Sequence, residues 1–116
     1  QSFGHKFGTP ADADFTFDVR CLPNPYWENS LRTHTGLDQE VVSFLEKFSN
    51  TDKMYQMIKD FIETWLPAFE AENRRYLTIS IGCTGGRHRS VYFAEKLGNY
   101  FSKKYENVAI RHRDLK

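Results

Sequence analysis

The chain has 116 residues, enough for one domain with its own core and too few for two. With 40% apolar and 16% aromatic residues it is not a disordered chain, and no apolar run reaches the length of a membrane span. The net charge of +1 conceals an asymmetry: residues 1–86 carry 8 Lys/Arg against 12 Asp/Glu, whereas residues 87–116 carry 8 against 3, so an anionic partner is expected at the C-terminal end.

The opening "QSFGHKFG" lacks both an initiator Met and the basic-then-apolar start of a secretory leader. A cytoplasmic setting and an origin as a piece of a longer protein are the expectations. Cys21 and Cys83 lie far apart with no C-x-x-C spacing, which leaves zinc and thioredoxin chemistry unsupported and favours two reduced thiols. Neither a metal site nor a cofactor is expected.

"SFGHKFG", residues 2–8, reads as a short strand entering a loop. "FTFDVR", residues 15–20, alternates in the manner of a strand. Pro23 and Pro25 then deny a helix, and residues 21–36 are predicted to form a long ordered loop or lid. From Asp38, a plausible N-cap, Val41, Leu45 and Phe48 fall on one helical face. A second helix is predicted from about Asp52 to Glu72. Its stripe of Met54, Ile58, Phe61, Trp65 and Phe69, widened by Met57, Ile62 and Leu66, predicts a largely buried helix that Pro67 kinks or ends. "YLTISIGC", residues 76–83, is the clearest strand. A helix follows to Tyr105, its inner face formed by Phe93, Leu97 and Phe101, and "NVAIRHR", residues 107–113, closes the chain as a last strand. The fold expected is α/β: a parallel or mixed sheet flanked by helices, with a phosphate-binding strand–loop–helix at 76–105.

That unit holds "IGCTGGRHRS", the densest chemistry in the chain. The first N–H groups of a helix lack intrahelical partners, and its dipole favours an anion. Gly85 and Gly86 let the backbone fold closely around a phosphate. Arg89 offers a two-pronged guanidinium, Thr84 and Ser90 offer hydroxyls, and His88 a ring N–H. The plain structural alternative is a glycine turn with Arg87, His88 and Arg89 solvated.

Cys83 and Arg89 also satisfy the C-x5-R-[ST] spacing of cysteine-dependent phosphatases, with Cys83 as nucleophile. The acid half of such a site is unsupported: Gly82 stands where those enzymes usually place a His, "WLP" at 65–67 supplies no Trp-Pro-Asp, and only Asp18 or Glu28 could serve as acid. A nucleotide-binding P-loop, G-x-x-x-x-G-K-[ST], is absent from the chain.

Asp18 ends its strand, and in open α/β sheets ligands gather at the carboxyl ends of strands. It is a candidate acceptor for a sugar amine or hydroxyl, or else a salt-bridge partner for Arg20. Lys103, Lys104, Arg111, Arg113 and Lys116, with His112, are candidate contacts for a phosphate backbone, or else a solvated end. No aromatic motif for base reading accompanies them.

Taken together, "FDVR", "LPNP-W", "TGLD", "YLTISIGCTGGRHRSV" and "RHRDL" resemble the C-terminal domain of the RapZ/YvcJ family of RNase adapter proteins, over essentially all of residues 1–116. The resemblance implies an α/β domain akin to sugar-phosphate kinases. It implies a module that senses glucosamine-6-phosphate and binds a small regulatory RNA for delivery to an endoribonuclease, and full-length proteins that oligomerise and carry an N-terminal P-loop domain with ATPase and GTPase activity. By the same resemblance the sugar-phosphate pocket uses Asp18, Cys83, Thr84, Gly85, Gly86, His88 and Arg89. Tyr26 stands where the enterobacterial pattern "NPHW" has a His, and it replaces a titratable donor by a neutral phenol.

Overall fold

The computed structural model describes residues 1–74 and 76–115. Among these, β1 (Ser2–Gly4), β2 (Phe15–Asp18) and β3 (Ile79–Cys83) form one sheet in the order β1-β3-β2, with both pairs parallel. Phe3 lies opposite Gly82 and Phe17 opposite Ile81, so β3 is central and all three strands end at the same edge. The helices are α1 (Gln39–Glu46), α2 (Ser49–Ala71) and α3 (Arg89–Ser102). The α/β expectation holds, and the sheet is parallel.

β3 has two unlike faces because side chains alternate along a strand. Ile81 and Cys83, each 2% exposed, join one core with Leu45 of α1, Tyr55 and Ile58 of α2, and Phe93 and Leu97 of α3. On the other face the Phe3 ring lies across Gly82: a Cβ there would come within 2.4 Å of that ring and 2.7 Å of His5 Nε2. Phe93 and Leu97 fill the sheet-facing side of α3 as the periodicity predicts, and burial of Phe93 is worth about 3–5 kcal/mol on truncation to Ala. None of the described helices is long and apolar enough to cross a membrane.

Several elements depart from the sequence reading. α2 starts at Ser49, three residues earlier than predicted, and runs through Pro67 to Ala71. Its 23 residues span about 34 Å, twice the length of a five-residue strand, so its far half overhangs the sheet. That is why Met57 (64% exposed) and Trp65 (50%) stand in solvent instead of completing a buried stripe. The loop 21–36 is ordered as expected, and it adds local structure: short 3-10 turns at Pro25–Trp27 and Asn29–Leu31 seat the buried Leu31, and the Asn24 side chain caps the first through Tyr26 N–H at 3.0 Å. Asp38 stands at the N-cap of α1 as expected, but its side chain caps no helical N–H; its Oδ2 accepts from Thr35 N–H at 2.8 Å. Residues 107–113 form no strand. One parallel bridge joins His112 to Ser2, and the next ladder position is taken by the Asp114 carboxylate, which accepts from Gly4 N–H at 2.8 Å and ends the pairing.

Candidate functional site

The parallel order brings the ends of β1, β2 and β3 together, and with them His5, Asp18 and the loop 84–88. Backbone packs directly on backbone here. A Cβ on Gly4 would sit 2.5 Å from the Gly85 carbonyl carbon, and one on Gly86 would sit 2.6 Å from Gly4 N. Gly86 also has φ +73°, a left-handed conformation that an L side chain strains to adopt. Lys6 N–H donates to Thr84 C=O at 3.2 Å, which fixes the corner after β1 against the glycine loop.

The basic run at 87–89 is turned inward. Arg89, 4% exposed, donates from Nη1 to the carbonyls of Arg20 (2.8 Å) and Leu22 (2.9 Å). Its Nη2 reaches Thr84 Oγ1 at 3.3 Å, while Nε is buried with no hydrogen-bond partner among the described residues. In a guanidinium, Nε–H and Nη2–H form the side-on fork, so the edge that best matches two oxyanion oxygens is the one not committed to the protein backbone. Burial pushes the Arg89 pKa down from its ordinary value, with the nearby Cys83 and Asp18 opposing. It remains a cation, because guanidinium does not lose its proton in proteins.

His88 is 6% exposed and its Nε2–H donates to Leu31 C=O at 3.2 Å. Burial lowers its pKa, so the ring is held neutral. Arg87 reaches Thr33 C=O at 3.3 Å, and Gly36 N–H donates to Arg87 C=O at 2.8 Å. The loop 20–36 is thus clamped by three successive residues, Arg87 and His88 of the glycine loop and Arg89 at the start of α3. Cys83 Sγ lies 3.1 Å from Ser90 Oγ, and both are buried.

Asp18 is half-exposed at the end of β2. Arg20 grips both its oxygens, with Nε at 3.0 and 3.1 Å and Nη2 at 2.7 Å, and the Arg20 N–H adds a bond of 2.9 Å. Those hydrogen bonds hold its carboxyl down at a pKa of about 2. His5 Nε2 stands 3.7 Å from the same carboxylate, beyond hydrogen-bond reach, and has no hydrogen-bond partner among the described residues.

The structure therefore brings Asp18, Cys83, Thr84, Gly85, Gly86, His88, Arg89 and Ser90 to one edge of the sheet. Tyr26 is exposed; the Arg32 guanidinium stacks on its ring at 4.7 Å, and no described contact ties it to the glycine loop. Two neighbours of the site escaped the sequence reading: His5, and Lys6, whose Cε lies 3.9 Å from where a Gly85 Cβ would be. Both follow a three-residue strand too short to signal that its end meets the loop.

The candidate RNA contacts are dispersed among partners. Lys104 pairs with Glu63 at 2.6 Å, and Arg111 donates to Gln1 Oε1 at 3.1 Å. Arg113 donates to Gly8 C=O at 2.6 Å and pairs with Asp114 at 2.8 Å. Lys103 follows α3 in the open, and Lys116 lies outside the described residues.

The model of the RapZ C-terminal domain family matches residues 1–116, the whole length of the chain. The chain belongs to this family. Curated relatives named nucleotide-binding proteins agree with that membership. One from Hahella chejuensis is 57% identical over 99% of this chain, one from Marinobacter nauticus 59% over 99%, and one from Pseudomonas syringae pv. tomato 54% over 99%. The RapZ-type domain spans only about two fifths of each, 40%, 39% and 40% of their lengths.

Proposed function

We propose that this RapZ-type domain is a phosphosugar-responsive, RNA-binding regulatory module of a cytoplasmic adapter protein, and that the site at the end of β3 holds a phosphate without cleaving it. The observation that carries the reading is the Arg89 side-on fork, buried beside Thr84 with its Nε–H unpaired among the described residues, at the start of a helix behind two glycines. An oxyanion entering there gains a bidentate, charge-assisted contact and the helix dipole at once. Asp18, an ionised acceptor across the same edge, suits an amino or hydroxyl group of a phosphosugar, which makes a glucosamine-6-phosphate-like ligand the best fit. Because loop 20–36 is clamped by the same three residues, occupancy is coupled to a surface that RNA or an endoribonuclease could read. The basic groups at Lys103, Lys104, Arg111 and Arg113 supply contacts for a phosphate backbone.

Phosphatase chemistry is the weaker reading on two counts. Asp18, the best-placed acid, is held ionised near neutral pH and has no proton to give a leaving group. Cys83 is 2% exposed beside Ser90, where an attacking thiolate needs access to phosphorus. Nucleotide binding, after which the relatives are named, is assigned to the remainder of the longer protein, since this chain has no P-loop. The deciding experiment is phosphorus NMR of glucosamine-6-phosphate mixed with the domain and followed for hours. A shifted or broadened ester signal with no inorganic phosphate, abolished in Arg89→Ala, is expected. Inorganic phosphate that accumulates, and stops doing so in Cys83→Ser, would make the domain an enzyme.

A further inference from the structure

At the opposite end of the strands from the glycine loop lies an open groove of about 610 Å³. One wall is residues 76–79, leading into β3; the other is residues 105–111; Leu66 and Phe69 of α2 with Leu97 and Phe101 of α3 form an apolar floor. Tyr76 (80% exposed) and Val108 (37%) leave apolar surface along the two rims. Gln1 sits at the mouth between the walls.

Both walls have strand-like sequences that are unpaired in register. "YLTISIGC" has strand character from Tyr76, yet its ladder begins at Ile79, and "NVAIRHR" makes one bridge where it has strand character throughout. β1 is the element between them. Directly before it, Gln1 N donates to Ile79 C=O at 2.6 Å and Gln1 C=O accepts from Ile81 N–H at 2.9 Å. On the other edge Ser2 N–H donates to Arg111 C=O at 2.9 Å and Ser2 C=O accepts from Arg113 N–H at 3.0 Å.

We propose that the groove is a slot for a strand: the segment immediately upstream of Gln1 in the longer protein continues β1 between residues 76–79 and 107–110 and covers the apolar floor. Continuing the registers Ser2↔Ile81 and Ser2↔His112 sets the bonds. The residue directly before Gln1 lies opposite Ile79 and Ile110, donates to Ala109 C=O and accepts from Arg111 N–H. The one before it donates to Leu77 C=O and accepts from Ile79 N–H. Alternate side chains of such a strand point toward α2 and α3, where apolar surface awaits cover. The family is a C-terminal domain and the chain spans about two fifths of relatives such as that from Hahella chejuensis, at 40%, so in those proteins polypeptide precedes the position of Gln1. The inference is independent of any ligand at the glycine loop.

Hydrogen exchange compared between the full-length protein and the chain starting at Gln1 tests it. In the full-length protein, peptides covering 76–80 and 107–112 should exchange about tenfold or more slowly, and the four residues before Gln1 should be protected with them. The dye 1-anilinonaphthalene-8-sulfonate should bind the short chain and not the long one. Proline placed directly before Gln1 in the full-length protein removes the donor to Ala109, and should restore fast exchange at 107–112 while α3 stays protected. Upstream residues exchanging like unstructured chain would overturn the proposal. So would protection of the short chain that rises with its concentration, since the occupant would then be a second copy.

Discussion

The two ends of the parallel sheet are built on opposite principles. At the carboxyl end of the strands, polar groups are matched one by one: Arg87, His88 and Arg89 take carbonyls of residues 20–33, and Gly4 packs on Gly85 and Gly86 without intervening side chains. At the amino end, apolar side chains of α2 and α3 line a groove whose walls have few partners. Hydrogen bonds are directional and fail with small displacements, whereas apolar cover is tolerant of detail. Under the two proposals above, the closed end recognises one small anion and the open end accepts a length of chain.

The comparison breaks most readily at Gly86. Gly86→Ala imposes a left-handed φ on an L side chain and drives a Cβ to 2.6 Å from Gly4 N, against backbone that cannot turn aside. A loss of about 1–3 kcal/mol is expected from the conformation alone, with the steric clash added to it. Urea denaturation measures it; a stability equal to that of the parent chain would mean that the closed end is not packed as described. The next variant is read in binding, measured on the folded protein, because a Lys in place of Arg89 also gives up the Nη1 bonds to the Arg20 and Leu22 carbonyls and lowers stability. Arg89→Lys keeps a cation but loses the side-on fork, so phosphosugar affinity should fall about 10- to 100-fold, the equivalent of one charge-assisted hydrogen bond. Titration calorimetry reads this, and unchanged affinity would remove the fork from the site.

What could be read in sequence follows the same division. The α3 face of Phe93, Leu97 and Phe101, the central strand and the glycine loop were legible because each depends on local spacing. Charge at 87–89 was legible as chemistry but not as architecture: nothing local in "GRHRS" says that its side chains would reach the carbonyls of Arg20, Leu22, Leu31 and Thr33. Those contacts span more than fifty residues of sequence and exist only because β2 and β3 end side by side. The same holds for His5 and Lys6. Conversely, the pattern at 76–78 and 107–111 was legible as strand and is not fulfilled, since a strand needs a neighbour as well as a pattern. The stripe of α2 outran the sheet for a related reason, its length being local and its cover not.

A smaller effect tests how His88 pins the loop. Burial lowers its pKa below the ordinary 6.5, so the folded chain prefers the neutral ring more than the unfolded chain does. The unfolded state then binds more protons as the solution is acidified, and the stabilisation that is complete above pH 6.5 is lost as pH falls through the folded pKa. Melting temperature measured between about pH 7.5 and about pH 5.5 should decline, and His88→Gln, which can still donate to Leu31 C=O, should flatten that decline. An identical slope in the variant would move the acid sensitivity elsewhere.

The smallest change in stability is expected at Asp18. Its pair with Arg20 is half-exposed, and such pairs are worth about 0–1 kcal/mol, so Asp18→Asn should melt within a few degrees of the parent chain. The information lies in what the variant binds. Asp18 has a pKa of about 2, so its carboxylate accepts hydrogen bonds throughout the neutral range and donates none. If it reads a ligand amine, Asp18→Asn should weaken glucosamine-6-phosphate much more than glucose-6-phosphate, and the preference between them should collapse while phosphate affinity at Arg89 persists. If instead it serves only to hold Arg20 beside β2, both ligands should weaken alike. Equal losses would leave a closed end that recognises a phosphate and is indifferent to the sugar attached to it.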